Sequence, residues 1–487
     1  MQSKSDVNFK LILKFIGILL VMLSAFMASS ALWNIVNNEG TTFAILLSAG
    51  ITLGVGLSFF FLTRKHDHKN IGKKEGYIIV TFTWLSITFF GTLPFFISGH
   101  IPSYTDAFFE TMSGFTTTGA TILTDIESMP QSLLLWRSMT HWLGGMGIIV
   151  LTLAILPVLG VGGMQLFVAE APGTTPSRIH PRITETAKRL WFIYVLLTCV
   201  LMALLMFGGM NVFESINHAF STLATGGFSP KNDSFASYSP YIHYVTIFFM
   251  IVAGTNFTLL YFSLKGNFTK LRNNEEFKFY LLVVGLFAII FTSSIYILHD
   301  TNLEYSFRHS LFQVVSILTT TGFASTDYTF WDEFLWFMLF ILMFAGGCIG
   351  STSGGIKMIR HLLLIKNSTQ EFKRLIHPSA IFPTRLDGKT ISSEIIYNFL
   401  AFFLLYMSLF MIGATIMSAL GLNFKLSLVT VAAIIGNVGP SLGTLGPMDS
   451  YAIIPVAGKW LLAFYMLLGR LELFTVLLLI TPAFWKK

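Results

Sequence analysis

The sequence predicts an all-α protein that crosses a membrane many times. Three observations carry that expectation. Of 487 residues, 54% are hydrophobic and 11% charged, against roughly 25% charged in a soluble domain. Apolar runs long enough to span a bilayer recur along the whole chain. One short Thr/Gly turn returns four times between such runs, as Phe115-Thr116-Thr117-Thr118-Gly119-Ala120, Ala224-Thr225-Gly226-Gly227-Phe228, Thr319-Thr320-Thr321-Gly322-Phe323 and Gly436-Asn437-Val438-Gly439-Pro440. Its last glycines, Gly119, Gly227, Gly322 and Gly439, lie 108, 95 and 117 residues apart.

The elements follow in order. Lys4, Lys10 and Lys14 precede an apolar run at 15–33. That run is long enough to span and longer than a signal-peptide core, so it reads as a retained helix. A second run covers 41–63. Arg64 to Lys74 then holds five Lys/Arg in eleven residues, which the positive-inside rule assigns to the cytoplasm. From there each unit reads long span, short helix, turn, long span. The first has 76–98, 103–115 and 137–160; the second 187–209, 212–223 and 242–264. The third has 277–298, 304–318 and 332–365; the fourth 394–420, 424–435 and 456–482. The expected divisions are 1–75 for the two N-terminal helices and their basic loop, then repeats at 76–160, 161–264, 265–366 and 367–487.

Charge orients the units. Between 98 and 136 there is no Lys or Arg, and the corresponding stretches of the other units hold only Lys231, Arg308 and Lys425. The opposite loops carry Arg178, Arg182, Lys188 and Arg189, then Lys265, Lys270, Arg272 and Lys278, then Lys357, Arg360, Lys366, Lys373, Arg374, Arg385 and Lys389. All four units therefore point the same way, as parallel repeats around one pore, with both termini cytoplasmic. The net charge of +7 belongs to this pattern and not to a nucleic-acid partner. Two cysteines, Cys199 and Cys348, provide no disulfide or metal framework.

A short helix of 12–15 residues is roughly 18–23 Å long, too short for a hydrocarbon layer of about 30 Å. It dips in and returns. Irregular backbone at membrane depth is tolerated where it is buried or lines water. Four such turns around an axis can offer carbonyls in place of a cation's hydration shell. The helix C-termini aim their partial negative charge the same way. The expected ion-binding residues are Thr117, Thr118 and Gly119; Thr225, Gly226 and Gly227; Thr320, Thr321 and Gly322; and Asn437, Val438 and Gly439.

Two features lie beneath. Residues 345–355 hold five glycines in eleven and interrupt an apolar segment. The phosphate-loop pattern does not fit and no strand precedes it. The plain reading is a kinked helix. The functional one is an unwound gate loop, built from Gly346, Gly347, Gly350, Ser351, Thr352, Ser353, Gly354 and Gly355, whose hydroxyls satisfy freed backbone groups. Arg470 sits inside the last span, where an arginine costs roughly 2.5–3.5 kcal/mol by insertion scales. It reads either as a snorkelling or ion-paired residue or as a pore arginine that repels cations until the gate moves. Among the outer carboxylates, Glu110 stands apart. It could brace the first turn or concentrate cations at the mouth. His141 and Asn256 read as helix–helix hydrogen-bonding groups.

These motifs resemble the Trk/Ktr/HKT superfamily of potassium transporters. The resemblance rests on Thr117-Thr118-Gly119-Ala120, Thr320-Thr321-Gly322-Phe323, Gly436 to Pro440 and Gly346 to Lys357, and covers essentially the whole chain. Length and the two extra N-terminal helices make it most similar to the bacterial TrkH branch. The resemblance implies that the four turns form a K+ filter, that Gly119 favours potassium, and that 345–355 is a gate. It also implies a homodimer and a separate cytoplasmic, nucleotide-binding, TrkA-like regulatory subunit, in a bacterial inner membrane, with K+ as transported ion and no cofactor. Loops 161–186 and 357–392 are the expected docking surfaces. The second and fourth turns depart from Thr-Thr-Gly, so some sodium passage is expected. A secondary transporter of another solute, or a sodium/potassium symporter, is the alternative. No metalloprotease motif, intramembrane aspartate pair or nucleophile–base set indicates an enzyme.

Overall fold

The computed structural model describes residues 7–37, 39–64, 73–155, 183–298 and 301–486. The basic stretch 65–72 and loop residues 156–182, with Arg178 and Arg182, lie outside them. Helices α1 (Phe9–Asn37), α2 (Thr42–Thr63), α3 (Lys73–Gly91) and α4 (Leu93–Ile97) pack together at the N-terminus. Then come α5 (Tyr104–Phe115), α6 (Gln131–Ile155), α7 (Ile183–Phe207), α8 (Val212–Leu223), α9 (Pro240–Ala253), α10 (Phe257–Leu264), α11 (Phe268–Asn273), α12 (Glu275–Leu298), α13 (Leu303–Leu318) and α14 (Glu333–Leu342). The chain ends with α15 (Met358–Ile376), α16 (Ser393–Ala419), α17 (Phe424–Ile435), α18 (Val456–Arg470), α19 (Phe474–Ile480) and α20 (Pro482–Trp485).

Among the described residues, six helices are long and apolar enough to cross a membrane, or seven if α9 and α10 form one bent span. The most apolar windows of α2 and α12 are only 28% buried. Phe43, Leu282, Ile289, Leu404 and Met411 are all more than half exposed. So much apolar surface suits lipid and not water. The core lies inward, where α6 packs on α5 and α8, α9 on α8 and α13, and α18 on α17 and α5. These contacts bracket the short helices α5, α8, α13 and α17.

Three expected spans are not continuous helices. The segment 242–264 turns by 108° between α9 and α10. Asn256, expected to bond between helices, instead caps α10 by accepting from Thr258 N at 2.8 Å. The segment 332–365 stops at Leu342 and resumes at Met358. The segment 456–482 breaks after Arg470, with Glu472 and Leu473 at φ 57° and 56°. A hairpin absent from the sequence reading pairs Arg385 with Thr390 and Leu386 with Lys389. Its Asp387-Gly388 turn has both φ positive, 48° and 76°, as a type I′ turn requires.

Each short helix starts the same way. Ser103, Asn211, Asn302 and Asn423 are extended N-caps whose side chains accept from the backbone N–H three residues on. Such caps satisfy a donor that would otherwise be unpaired. They fix where each short helix begins, and so where its far end lies.

Candidate functional site

The four short helices also end alike. Thr118, Gly226, Thr321 and Val438 donate their N–H to Ser113, Ser221, Ser316 and Ala433 at 2.8–2.9 Å. Thr117, Thr225, Thr320 and Asn437 donate to Gly114, Thr222, Ile317 and Ile434 at 3.0–3.1 Å. This is the paired Schellman closure, which places one residue in the left-handed region, usually glycine. Here the residue is threonine three times, at φ 51°, 54° and 57° for Thr117, Thr225 and Thr320, and asparagine once, at φ 53° for Asn437. A β-branched residue there is a true outlier, costing of order 1–3 kcal/mol. Such strain persists only where surrounding contacts over-determine it. Thr319 and Thr321 join hydroxyls at 2.8 Å, as do Thr116 and Thr118.

The turns close on one another. Gly119, Gly227, Gly322 and Gly439 have φ of 83°, 86°, 79° and 91°. A Cβ on each would lie 2.3, 2.1, 2.2 and 2.2 Å from the carbonyl oxygens of Gly226, Thr321, Val438 and Thr118 respectively. The order runs from turn one to two, three, four and back to one. Each glycine is thus required twice, by its backbone conformation and by the neighbouring turn's carbonyl. A cavity beside them is lined by Gly119, Gly227, Gly322, Pro440 and Tyr451, among others.

On the other side of the ring lies 345–355. It is unwound and hydrogen-bonded to almost everything around it. Gly346 N donates to Ile356 O at 2.9 Å, Gly347 N to Ser353 Oγ at 2.9 Å and Cys348 N to Gly254 O at 2.8 Å. Thr352 Oγ1 donates to Leu223 O, at the end of α8, at 2.9 Å. Gly354 N donates to Thr320 Oγ1 at 2.7 Å. A Cβ on Gly354 would stand 2.7 Å from Gly436 O. Ser351 Oγ bonds Cys348 O at 2.6 Å and Ser353 Oγ at 2.8 Å. Gly350 and Gly355 take φ of 74° and 65°. The segment is a loop and not a kinked helix: no helix runs between Leu342 and Met358, and several of its groups bond other segments at Gly254, Leu223 and Thr320. The buried carboxylate of Glu276 accepts from Ile349 N at 2.7 Å and Ile359 N at 3.2 Å, tying the middle of the loop to the first turn of α15.

Arg470 reaches this loop. Its Nη1 donates to Thr352 O at 2.7 Å, and Nη2 to Gly144 O and Gly145 O at 2.7 and 3.0 Å. It therefore joins the loop to α6 through backbone carbonyls. Glu472 pairs instead with Arg360. Glu110 is buried, taking Arg137 Nε at 2.6 Å, Ile122 N at 2.8 Å and Thr121 Oγ1 at 2.9 Å. That geometry braces the first turn. It leaves the carboxylate enclosed, not facing the mouth as a cation collector.

Sequence reasoning passed over Arg137, whose guanidinium also stacks 3.5 Å from the Phe228 ring and bonds Ser229 O at 2.9 Å. An arginine inside the apolar span 131–155 is the signal that would have found it. It passed over Tyr451 as well. His141 stacks on Phe228 at 4.0 Å and shares a 3.3 Å hydrogen bond with Ser221, so it backs the second turn.

Comparison with known proteins agrees with this geometry. A family model, TrkH, described as a cation transport protein, matches residues 42–487. The Trk system potassium uptake protein TrkH of Halomonas elongata is 39% identical over 484 residues, 99% of this chain and 100% of that one. The protein of the same name in Escherichia coli K12 is 38% identical, over 99% of this chain and 100% of its own. The crystal structure of the potassium transporter TrkH from Vibrio parahaemolyticus matches with a TM-score of 0.89 at 36% identity, covering 98% of this chain and all of that one. Matched over this length, at this identity and in this fold, the chain belongs to the TrkH family of cation transport proteins, which are transporters and not enzymes.

Proposed function

We propose that the chain is a potassium uptake protein of the bacterial inner membrane. The ring formed by the four Thr/Gly turns is its selectivity filter. The observation that carries this reading is the closed cyclic contact of Gly119, Gly227, Gly322 and Gly439 with the carbonyls of the next turn. Carbonyl rings of this kind coordinate dehydrated monovalent cations, and relatives of this chain are potassium uptake proteins by name. The binding residues are Thr117, Thr118 and Gly119 and their counterparts through Asn437, Val438 and Gly439. In this reading the four units are parallel repeats, with both termini cytoplasmic.

The gate is 345–355, with Arg470 as its latch. The hydrogen bonds from the loop to Leu223, Thr320 and Arg470 support a closed state. Opening exchanges them for water and ion. No coupling ion is needed for accumulation. A membrane potential provides about 2.3 kcal/mol per charge per 100 mV, and a tenfold ratio needs about 1.4 kcal/mol. A hundred millivolts thus sustains roughly a fifty-fold gradient. A homodimer and a nucleotide-binding regulatory subunit on the cytoplasmic face complete the proposal.

Rubidium uptake into proteoliposomes holding the purified protein and a potassium gradient tests the function. Uptake should occur with no organic solute present. Uptake that needs an organic solute would instead favour a secondary transporter.

A further inference from the structure

The outer loops form a second ring above the first. Ile126 N donates to Asn232 Oδ1 at 2.7 Å, joining the first loop to the second. Phe235 N donates to Ala324 O at 2.9 Å, joining the second to the third. Tyr328 OH donates to Ser441 O at 3.1 Å, joining the third to the fourth. Tyr451 N donates to Thr121 O at 2.7 Å, joining the fourth back to the first. The circle is closed, and in the same order as the glycines beneath it.

Tyr451 does more than close it. Its hydroxyl donates to Gly439 O at 2.6 Å. Among the described residues, Gly439 is the one ring glycine whose carbonyl accepts a side-chain hydrogen bond. The tyrosine is buried, and its ring lies 5.7 Å from that of Phe109 in α5. So one rigid side chain holds the fourth turn's glycine carbonyl while its own backbone is pinned to the first turn. The fourth turn is also the one that departs furthest from Thr-Thr-Gly.

We infer that Tyr451 is a positioning residue for ion selectivity: its hydroxyl fixes the direction and field of the Gly439 carbonyl, offsetting the irregular fourth turn. Selectivity in a carbonyl ring depends on how many dipoles face the ion, how strong their field is and how far they can relax. A carbonyl already engaged by a phenol at 2.6 Å presents a weaker field and moves less. Freed, it can follow a smaller ion inward. The loss should therefore favour sodium. This inference rests on the potassium-filter reading above.

The test is the potassium-to-sodium permeability ratio from reversal potentials of the purified, full-length protein in planar bilayers. Tyr451→Phe removes only the hydroxyl. The ratio should fall by roughly two- to tenfold, the range spanned by one hydrogen bond. Tyr465→Phe is the matched control. It deletes a similar hydroxyl-to-carbonyl bond, to Leu409 O at 2.8 Å between α18 and α16, in which no ring residue takes part. Its ratio should equal the wild type's. An unchanged ratio in Tyr451→Phe, or an equal fall in both variants, overturns the inference. Should Tyr451→Phe fail to assemble, Phe109→Leu loosens the ring behind Tyr451. A lower ratio then supports the inference and an unchanged one refutes it. A wild-type reversal potential that ignores potassium removes the filter reading itself, which keeps the two failures distinct.

Discussion

Thr117 holds a left-handed backbone at φ 51°, yet its buried hydroxyl has no hydrogen-bond partner among the described residues. Asparagine tolerates that backbone better than threonine, and Asn437 already occupies the equivalent place in the fourth turn. Thr117→Asn should therefore stabilise the folded protein by about 1 kcal/mol, measured as a rise in thermal unfolding temperature in detergent. A fall would show that the threonine methyl is needed for packing. Gly322 behaves oppositely. Any Cβ there meets Val438 O at 2.2 Å while φ is 79°. Gly322→Ala should lower rubidium uptake at least roughly tenfold, with the protein still inserted. The repeated Thr/Gly pattern made these residues legible. The left-handed threonines were not, because threonine alone argues for extended backbone.

At the scale of the element, the loop 345–355 is held by donors and acceptors from several different segments. Arg470 contributes charge-assisted bonds from one side chain to Thr352, Gly144 and Gly145. Removing it frees the loop. Arg470→Ala should raise basal rubidium flux by at least about tenfold, the worth of one charge-assisted hydrogen bond. Flux at or below wild type would make the arginine a purely structural clamp. Glu110 gives a different expectation. Its pair with Arg137 is buried, with side chains 0% and 3% exposed. Breaking a buried pair costs about 3–5 kcal/mol. Glu110→Ala should destabilise the protein by that order, and the loss of flux should be insensitive to ionic strength. A salt-dependent loss would instead mark a cation-concentrating charge. The short helices were readable within one residue, since polar turns and Asn or Ser caps bound them. The breaks in 242–264 and 456–482 were not read, because each falls at only three residues, Gly254-Thr255-Asn256 and Leu471-Glu472-Leu473, inside a run that is apolar on both sides. Gly254 was one clue. At the other break the charges of Arg470 and Glu472 were the clue, but neither residue type foretells the positive φ of Glu472 and Leu473, which accompanies the Glu472–Arg360 ion pair and the burial of Leu473.

At the scale of the molecule, the ring of turns lies between two unlike partners. Outside, the loops are stitched by Asn232, Tyr328 and Tyr451. Asn232 also bonds Asp125 at 3.0 Å, and that hydrogen bond chiefly holds the exposed Asp125 carboxyl below its ordinary range. Inside, a glycine-rich loop is fastened by bonds that can be exchanged. The strained turns are therefore braced, and in the proposed reading the loop beneath them is the part that is latched. The family and the helical, lipid-facing character were legible from composition and from the recurrent turn. The second ring of outer loops was not, since its partners lie far apart in the chain and its tyrosines look like ordinary interfacial residues. The central claim is that the four turns conduct potassium. It is tested most directly by reversal potentials of the wild-type protein in bilayers, with potassium and sodium varied in turn. The potential should follow the potassium gradient closely and the sodium gradient weakly. A potential that responds to neither cation would contradict it.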